Sequence, residues 1–276
     1  WEKQKELKMK HLFFLSLILI LSSCGGTSNL ESAEESGEEV SQETEEGNVQ
    51  SEWVNFGDGH RGYLARPGQE GQFPAAVMIH EWWGLNDNIQ EMARDLAGEG
   101  YVVLAVDLYN GNVASPPQEA GQYATQVRDN VPEAVEHMKS ATSFLRESDF
   151  VLENVIASIG WCFGGGMSLQ LSLNESLAAT VIYYGNLETD EERLSAIKWP
   201  VLGIFADQDA VISLESVHQF EAGLNQLGIE NEIHIYEGVP HAFANPSNPG
   251  HDAEKTADAW EKTIAFLDRN LKQAGS

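Results

Sequence analysis

The chain contains the stretch Val155-Ile156-Ala157-Ser158-Ile159-Gly160-Trp161-Cys162-Phe163-Gly164. In it, an apolar run typical of a β-strand leads into a cysteine flanked by glycines, and a helical pattern from Met167 to Leu173 follows. Such a pattern is typical of a nucleophile elbow, here with Cys in place of the commoner Ser. The turn is so tight that the residues two before and two after the nucleophile must lack a Cβ, which accounts for Gly160 and Gly164. Taken alone, the motif also fits a buried structural cysteine in a glycine-rich turn.

Residues 53–276 have a length that suits a single domain with a large core. Apolar runs typical of strands alternate there with helical patterns. Strands are predicted at 52–56, 62–66, 73–80, 101–108, 155–160, 178–184, 200–206 and 232–236, and helices at 86–98, 118–146 with an interruption at Pro132, 167–173, 213–227 and 252–274. Near-continuous apolar strands that alternate with helices predict a doubly wound, mostly parallel sheet with helices on both faces.

The first 23 residues have the pattern of a secretory signal peptide. Four lysines among the first ten residues precede an apolar run from Leu12 to Leu21, which is too short to span a membrane. The junction Leu21-Ser22-Ser23-Cys24 resembles the lipobox of bacterial lipoproteins, in which the cysteine is lipidated. The resemblance implies lipidation at Cys24 and an exported protein anchored to the bacterial cell envelope, with plain secretion as the alternative.

Residues 24–52 are rich in Gly, Ser, Thr, Asn and Glu and contain few apolar side chains. Such a segment cannot bury enough surface to offset the entropy of ordering its backbone, so we predict a disordered acidic tether. The formal net charge of the whole chain is -27. This acidity argues against nucleic acid as a partner, because a phosphate backbone attracts basic surfaces.

The chain has two cysteines. If Cys24 is lipidated, Cys162 has no partner for an intramolecular disulfide, and an unpaired thiol in an exported protein requires an explanation. A catalytic role would provide one. At the N-terminus of the helix that follows the elbow, backbone N–H groups and the helix dipole would favour the thiolate form of Cys162.

An α/β-hydrolase presents its nucleophile, acid and histidine in that chain order, with the last two on loops after later strands. The acid candidates here are Asp209, which we prefer, and Asp207, since both follow the predicted strand at 200–206 and the register of the loop decides which one points inward. The histidine candidate is His241, which follows Gly238-Val239-Pro240 just beyond the last predicted strand. Its imidazole would hold Cys162 as thiolate or take its proton, while the acid fixes the tautomer.

Acyl transfer also needs hydrogen-bond donors for the oxyanion. In this fold they are the N–H of the residue after the nucleophile and an N–H from the loop after the third strand, which here are those of Phe163 and Trp82. The pair His80-Glu81 in that loop is not a zinc-binding HExxH motif, because Gly84 stands where the second histidine is needed. Glu81 would lie close to the thiol. The motifs require no metal and no cofactor.

The chain resembles the dienelactone hydrolase family. The resemblance rests on motifs that span the domain in family order: His80-Glu81-Trp82-Trp83-Gly84, Asp107-Leu108-Tyr109, Gly160 to Gly165, Tyr183-Tyr184-Gly185, Phe205 to Asp209 and His241-Ala242-Phe243. It implies an α/β-hydrolase fold and a triad of Cys162, Asp209 and His241. It further implies that Glu81 contacts the cysteine and assists its activation when substrate binds.

The sequence departs from the family pattern at two places. Where the family uses arginines to hold a substrate carboxylate, this chain has Asn110-Gly111-Asn112 and Ala244-Asn245. Loss of both bidentate partners favours a neutral ester, lactone or thioester over an anionic lactone. We expect the substrate pocket to be lined by Asn245 and by the aromatic residues Trp82, Trp83, Tyr109, Trp161 and Phe243.

The sequence therefore predicts a dienelactone hydrolase-like (carboxymethylenebutenolidase-like) enzyme that cleaves a small ester or lactone through an acyl-cysteine. One alternative is a broad carboxylesterase or thioesterase for neutral substrates. Another is a non-catalytic binding protein on a hydrolase scaffold, since a fold alone does not guarantee activity. A cysteine peptidase is a weaker alternative, because no cap domain or extended substrate groove is evident in the sequence.

Overall fold

The computed structural model describes residues 49–272. The predicted signal peptide, the lipidation site Cys24 and the predicted tether up to residue 48 lie outside the described residues. The first strand begins at Val49 rather than at Glu52, so the last residues assigned to the tether are part of the sheet.

Strands and helices alternate as the sequence predicts. The strands are β1 (Val49–Phe56), β2 (His60–Pro67), β3 (Phe73–Ile79), β4 (Val102–Val106), β5 (Val151–Trp161), β6 (Ala179–Tyr183), β7 (Val201–Ala206) and β8 (Asn231–Tyr236). The helices are α1 (Asp87–Gly98), α2 (Pro117–Arg128), α3 (Val131–Arg146), α4 (Phe163–Ser172), α5 (Glu191–Leu194), α6 (Leu214–Gln226) and α7 (Ala253–Leu267), and a π-helical turn, Asp268–Lys272, follows α7.

All eight strands form one sheet in the order β1-β2-β4-β3-β5-β6-β7-β8. β2 is antiparallel to both of its neighbours, β1 and β4. The other six strands, β3 to β8, are parallel to one another. In β3, Ala76 and Met78 contribute to the core beneath α1 and α7, whereas Val77 and Ile79 contribute to the core beneath α2, α3 and α4. Both faces of the sheet are therefore covered, which confirms the predicted doubly wound α/β-hydrolase architecture and explains why the inner strands β3, β4, β6 and β7 are buried and mostly apolar.

Two helical predictions need correction. The pattern at 118–146 forms two helices rather than one interrupted helix, with the break at Asp129 and Asn130 and with Pro132 in the first turn of α3. Proline is tolerated there, because the first N–H groups of a helix have no intrahelical acceptor. The last predicted helix changes from α to π geometry at Asp268.

The direction of the strands defines two ends of the sheet. β1 is antiparallel to β2, which is antiparallel to β4, so β1 runs in the same direction as the parallel strands. Val49 therefore lies at the amino-terminal end of the sheet, whereas the residues that follow β3, β5, β7 and β8 lie at its carboxyl end. Within residues 49–272, no helix has the length and apolar character needed to cross a bilayer.

Candidate active site

The turn between β5 and α4 has the geometry of a nucleophile elbow. Cys162 has φ 55° and ψ -114°, an unusual conformation for a residue with a Cβ, and its N–H donates to the carbonyl of Tyr183 at 2.9 Å. A Cβ on Gly160 would lie 2.1 Å from the carbonyl oxygen of Gly164, and one on Gly164 would lie 2.3 Å from that of Ile79. Both glycines are thus required by direct backbone contact.

Cys162, His241 and Asp209 form a continuous chain of contacts at the carboxyl end of the sheet. The Nε2 atom of His241 lies 3.0 Å from the sulfur of Cys162, and its Nδ1 atom lies 2.7 Å from Oδ2 of Asp209. Oδ1 of Asp209 accepts hydrogen bonds from the N–H groups of Val211 at 2.7 Å and Ile212 at 2.9 Å. Both carboxylate oxygens are therefore engaged, and the imidazole is fixed in orientation.

The other acid candidate, Asp207, has a different contact. Its Oδ1 atom accepts a hydrogen bond from the N–H of Gly238 at 2.7 Å, and its own N–H donates to the carbonyl of Tyr236 at 3.0 Å. Asp207 thus connects the end of β7 to the loop that carries His241. The structure brings Asp209, and not Asp207, to the imidazole.

The charges of the histidine and the acid depend on each other. Burial alone would lower the pKa of His241, but hydrogen bonds to Asp209 and Cys162, together with their negative charges, raise it to about 10. Burial alone would raise the pKa of Asp209, but hydrogen bonds from His241 and from the N–H groups of Ile212 and Val211 lower it below its ordinary value. At neutral pH, His241 is therefore an imidazolium between a carboxylate and the sulfur.

Glu81 lies in the same cleft, and only 4% of its surface is exposed. Its Oε2 atom accepts a hydrogen bond from Nδ2 of Asn245. Burial raises the pKa of Glu81 to about 7, although the hydrogen bond from Asn245 and the nearby His241 act in the opposite direction. Among the described residues, no hydrogen bond joins Glu81 to Cys162, which differs from the contact that the family resemblance implies.

His80 fixes the loop after β3. Its ring is fully buried, its Nδ1–H donates to the carbonyl of Glu81 at 2.6 Å, and its Nε2 accepts the N–H of Leu108 at 3.2 Å. Burial lowers the pKa of His80 to about 4, so the ring is neutral. His80 thereby links the loop that contains Trp82 to the end of β4. Within residues 49–272, no three His, Cys, Asp or Glu side chains are arranged to hold a metal ion.

A cleft of about 590 Å³ opens above Cys162 and His241. Trp82 and Trp83, whose ring centroids are 4.9 Å apart, line it together with smaller apolar side chains. These are Ala114, Val211, Ala242 and Pro249, and the polar lining includes Glu81, Arg128, Asn245, Ser247 and Asn248.

The structure separates the predicted pocket residues into two groups. Trp82, Trp83 and Asn245 line the cleft as predicted. Tyr109, Trp161 and Phe243 do not, because they are 4%, 2% and 0% exposed and pack in the cores on either face of the sheet. That part of the pocket prediction is wrong, since a sheet covered on both faces also buries the aromatic residues near its strand ends.

Arg128 was not predicted to lie in the cleft. It is the last residue of α2, its guanidinium lies 5.6 Å from the ring centroid of Phe163, and among the described residues it is the only Lys or Arg that lines the cleft. Nothing in the sequence around residue 128 signals this position, because it follows from how α2 packs.

The family model described as "Dienelactone hydrolase family" matches residues 60–271. "Protein usf" of Aquifex pyrophilus is 31% identical over 218 residues, which cover 76% of this chain and 94% of that protein. A "Putative carboxymethylenebutenolidase" of Aquifex aeolicus (strain VF5) is 29% identical over 219 residues, which cover 77% of this chain and 94% of that protein. The solved structure "m3DLH" has a TM-score of 0.75 at 24% identity and covers 82% of this chain and 100% of its own, which shows the shared fold. With a matching family model across most of its length and a relative above 30% identity, the chain belongs to the dienelactone hydrolase family of hydrolases.

Proposed function

We propose that the protein hydrolyses a small ester or lactone through a Cys162–His241–Asp209 triad and an acyl-cysteine intermediate. The observation that carries this proposal is the unbroken series of contacts from the carboxylate to the imidazole at 2.7 Å and from the imidazole to the sulfur at 3.0 Å. These contacts lie at the base of an open cleft of about 590 Å³. Family membership supports the same chemistry.

The first half of the reaction acylates the enzyme. The thiolate of Cys162 attacks the carbonyl carbon, and the carbonyl oxygen becomes an oxyanion. The N–H groups of Phe163 and Trp82 would stabilise that charge. Phe163 is the first residue of α4, so its N–H has no intrahelical acceptor and is available to the substrate. The imidazolium of His241 then gives its proton to the departing alkoxide, and the carbon–oxygen bond of the ester breaks.

The second half releases the acid. His241, now neutral, takes a proton from a water molecule that attacks the thioester, and Asp209 stabilises the imidazolium that forms. The carbon–sulfur bond breaks, Cys162 leaves as thiolate, and the imidazolium–thiolate pair is restored. No atom or electron is left over, so the cycle needs only ester and water.

The cleft favours a neutral substrate. Its walls are largely aromatic and aliphatic, and it contains the carboxylate of Glu81. The net charge of -27 on the whole chain also repels anions. The positive charge of Arg128, which also lines the cleft, would instead favour an anionic substrate.

A panel of 4-nitrophenyl esters tests the proposed function. We expect turnover of acetate and butyrate esters and, after an acid quench, a mass increase equal to the acyl group on the peptide that contains Cys162. 4-Nitrophenyl butyrate should also react with a kcat/KM at least about tenfold above that of the matched anionic hemisuccinate. Absence of both turnover and acyl-Cys162 would reject the enzyme in favour of a binding protein. Faster reaction of the hemisuccinate would reject the neutral preference and assign the substrate carboxylate to Arg128.

Two aspartates two residues apart provide a matched test of the acid. Asp209→Asn removes the charge that stabilises the imidazolium, and we expect kcat/KM to fall about 10²- to 10³-fold. Asp207→Asn makes the same chemical change at a residue that contacts the N–H of Gly238, and its effect should stay below about tenfold. Steady-state kinetics on one ester checks both variants. The assignment of the acid fails if Asp207→Asn proves the more damaging substitution.

A further inference from the structure

The carboxylate of Glu81 is held by Asn245. Nδ2 of Asn245 donates a hydrogen bond to Oε2 of Glu81, and the two residues are 7% and 4% exposed. The sulfur of Cys162 has a different partner, because Nε2 of His241 lies 3.0 Å from it. Glu81 and Cys162 therefore share a cleft, while each is bonded to another residue.

The orientation of the Asn245 amide is fixed by Ser247. Oδ1 of Asn245 accepts hydrogen bonds from both the N–H and the hydroxyl of Ser247, each at 2.8 Å. Only the NH₂ end of the amide can then face Glu81. An amide NH₂ donates and does not accept, so it bonds the ionised carboxylate better than it bonds the protonated acid.

The other charged or titratable groups near Glu81 come from four parts of the chain. His241 carries a positive charge and favours the carboxylate, whereas Tyr184, which follows β6, is buried and neutral because burial raises its pKa well above the ordinary value. Arg128 and Cys162 also line the cleft. Asn245 and His241 are thus the groups that oppose protonation of Glu81.

Protonation of Glu81 would change the nucleophile. A carboxylic acid can donate its O–H to a thiolate, and this hydrogen bond would compete with the one from His241 and reduce the nucleophilicity of the sulfur. Burial already raises the pKa of Glu81 to about 7. Without the amide of Asn245 the acid would persist to higher pH, because hydrogen bonds to the charged form lower a carboxyl pKa.

We propose that Asn245 is a positioning residue that keeps Glu81 ionised and bonded away from Cys162, so that His241 is the partner of the sulfur before substrate binds. This inference rests on the proposed function only in taking Cys162 as the nucleophile. It assigns the site a resting state that is already assembled for attack.

The rate of alkylation of Cys162 by iodoacetamide tests the inference without any ester. The full chain is treated between pH 5 and 9, and mass spectrometry follows the peptide that contains Cys162. In the unsubstituted protein, the second-order rate constant should rise through an inflection near pH 7. In Asn245→Ala that inflection should move upward by about one pH unit, the size expected for one hydrogen bond to a charged group. Reaction at pH 7 should then be several-fold slower, and the two profiles should converge as the pH approaches 9.

Two further variants separate positioning from a general loss of structure. The pH profile of Glu81→Gln should lack the inflection near pH 7, because glutamine does not titrate. Adding Asn245→Ala to Glu81→Gln should then have no further effect on the profile. Asn174→Ala, which makes the same change at an exposed residue bonded to the carbonyl of Gln170, should match the unsubstituted profile. Should Asn245→Ala unfold, Asn245→Ser replaces it with the same expected shift.

The inference is overturned if the profiles of Asn245→Ala and the unsubstituted protein coincide, or if Asn245→Ala still shifts the profile when Glu81 is Gln. Both results concern the thiol alone. They are therefore distinct from a failure of the proposed function, which would appear as the absence of ester turnover and of an acyl-cysteine.

Discussion

Replacement of Cys162 by alanine is expected to lower kcat/KM for an aryl ester by about 10⁵-fold or more. The substitution removes the sulfur on which the proposed acyl intermediate forms, while the contact between His241 and Asp209 is left in place. The check is the initial rate of ester hydrolysis measured at high protein concentration. Mass spectrometry then follows acylation of the peptide that contains residue 162.

We expect the alanine variant to lose activity because the thiol is missing, and not because the protein unfolds. Alanine keeps a Cβ at the same strained position, where φ is 55°, so the backbone strain is unchanged and the variant should unfold at nearly the same denaturant concentration. Cys162→Ser, with a hydroxyl at the same place, should also be nearly inactive, because the imidazole is arranged for a thiolate. Retention of more than a few per cent of the activity in the alanine variant would contradict the covalent mechanism.

Gly164→Ala is expected to destabilise the fold by about 3 kcal/mol or more. The new Cβ would lie 2.3 Å from the carbonyl oxygen of Ile79 and 2.4 Å from that of His80. Ile79 ends β3 and is paired with both β4 and β5, so its carbonyl cannot move aside without disrupting strand pairing, and His80 follows it directly. Urea unfolding followed by circular dichroism measures the loss, and a variant that does not fold agrees with it.

Gly121→Ala is the matched control for that substitution. Gly121 lies within α2, and an added Cβ there would meet nothing within 4 Å. Because alanine is the better helix former, this variant should gain up to about 1 kcal/mol. Equal stability of the two alanine variants would show that the close contact at the elbow does not constrain the fold.

The sequence predicted the fold well because its signals are local. Asn86, the first residue of the helix predicted at 86–98, caps α1, and its side chain accepts from the N–H of Ile89 at 3.2 Å. Gly160 signals the elbow because an added Cβ would meet the backbone of Gly164, four residues away, and Gly164 completes the same local motif. The end of α2 was missed, although Pro132 two residues after Asn130 is as typical of a helix start as of an interruption.

The site was less predictable because its geometry depends on packing between distant segments. Asp207 and Asp209 have the same side chain on the same loop, and which of them contacts His241 depends on how that loop packs against the distant segment from Gly238 to His241. Burial of Trp161 depends likewise on the helices above it. The bond from Asn245 to Glu81 joins residues far apart in the chain, and no pattern in the sequence signals it.

The place where the chain enters the domain has a practical consequence. Val49 begins β1 at the amino-terminal end of the sheet, whereas Cys162 follows β5 at the opposite end. A bead or electrode coupled at Val49 would therefore join the enzyme on the side opposite the cleft. Immobilisation at this end of the sheet would leave the cleft facing the solution, where dissolved esters can reach it.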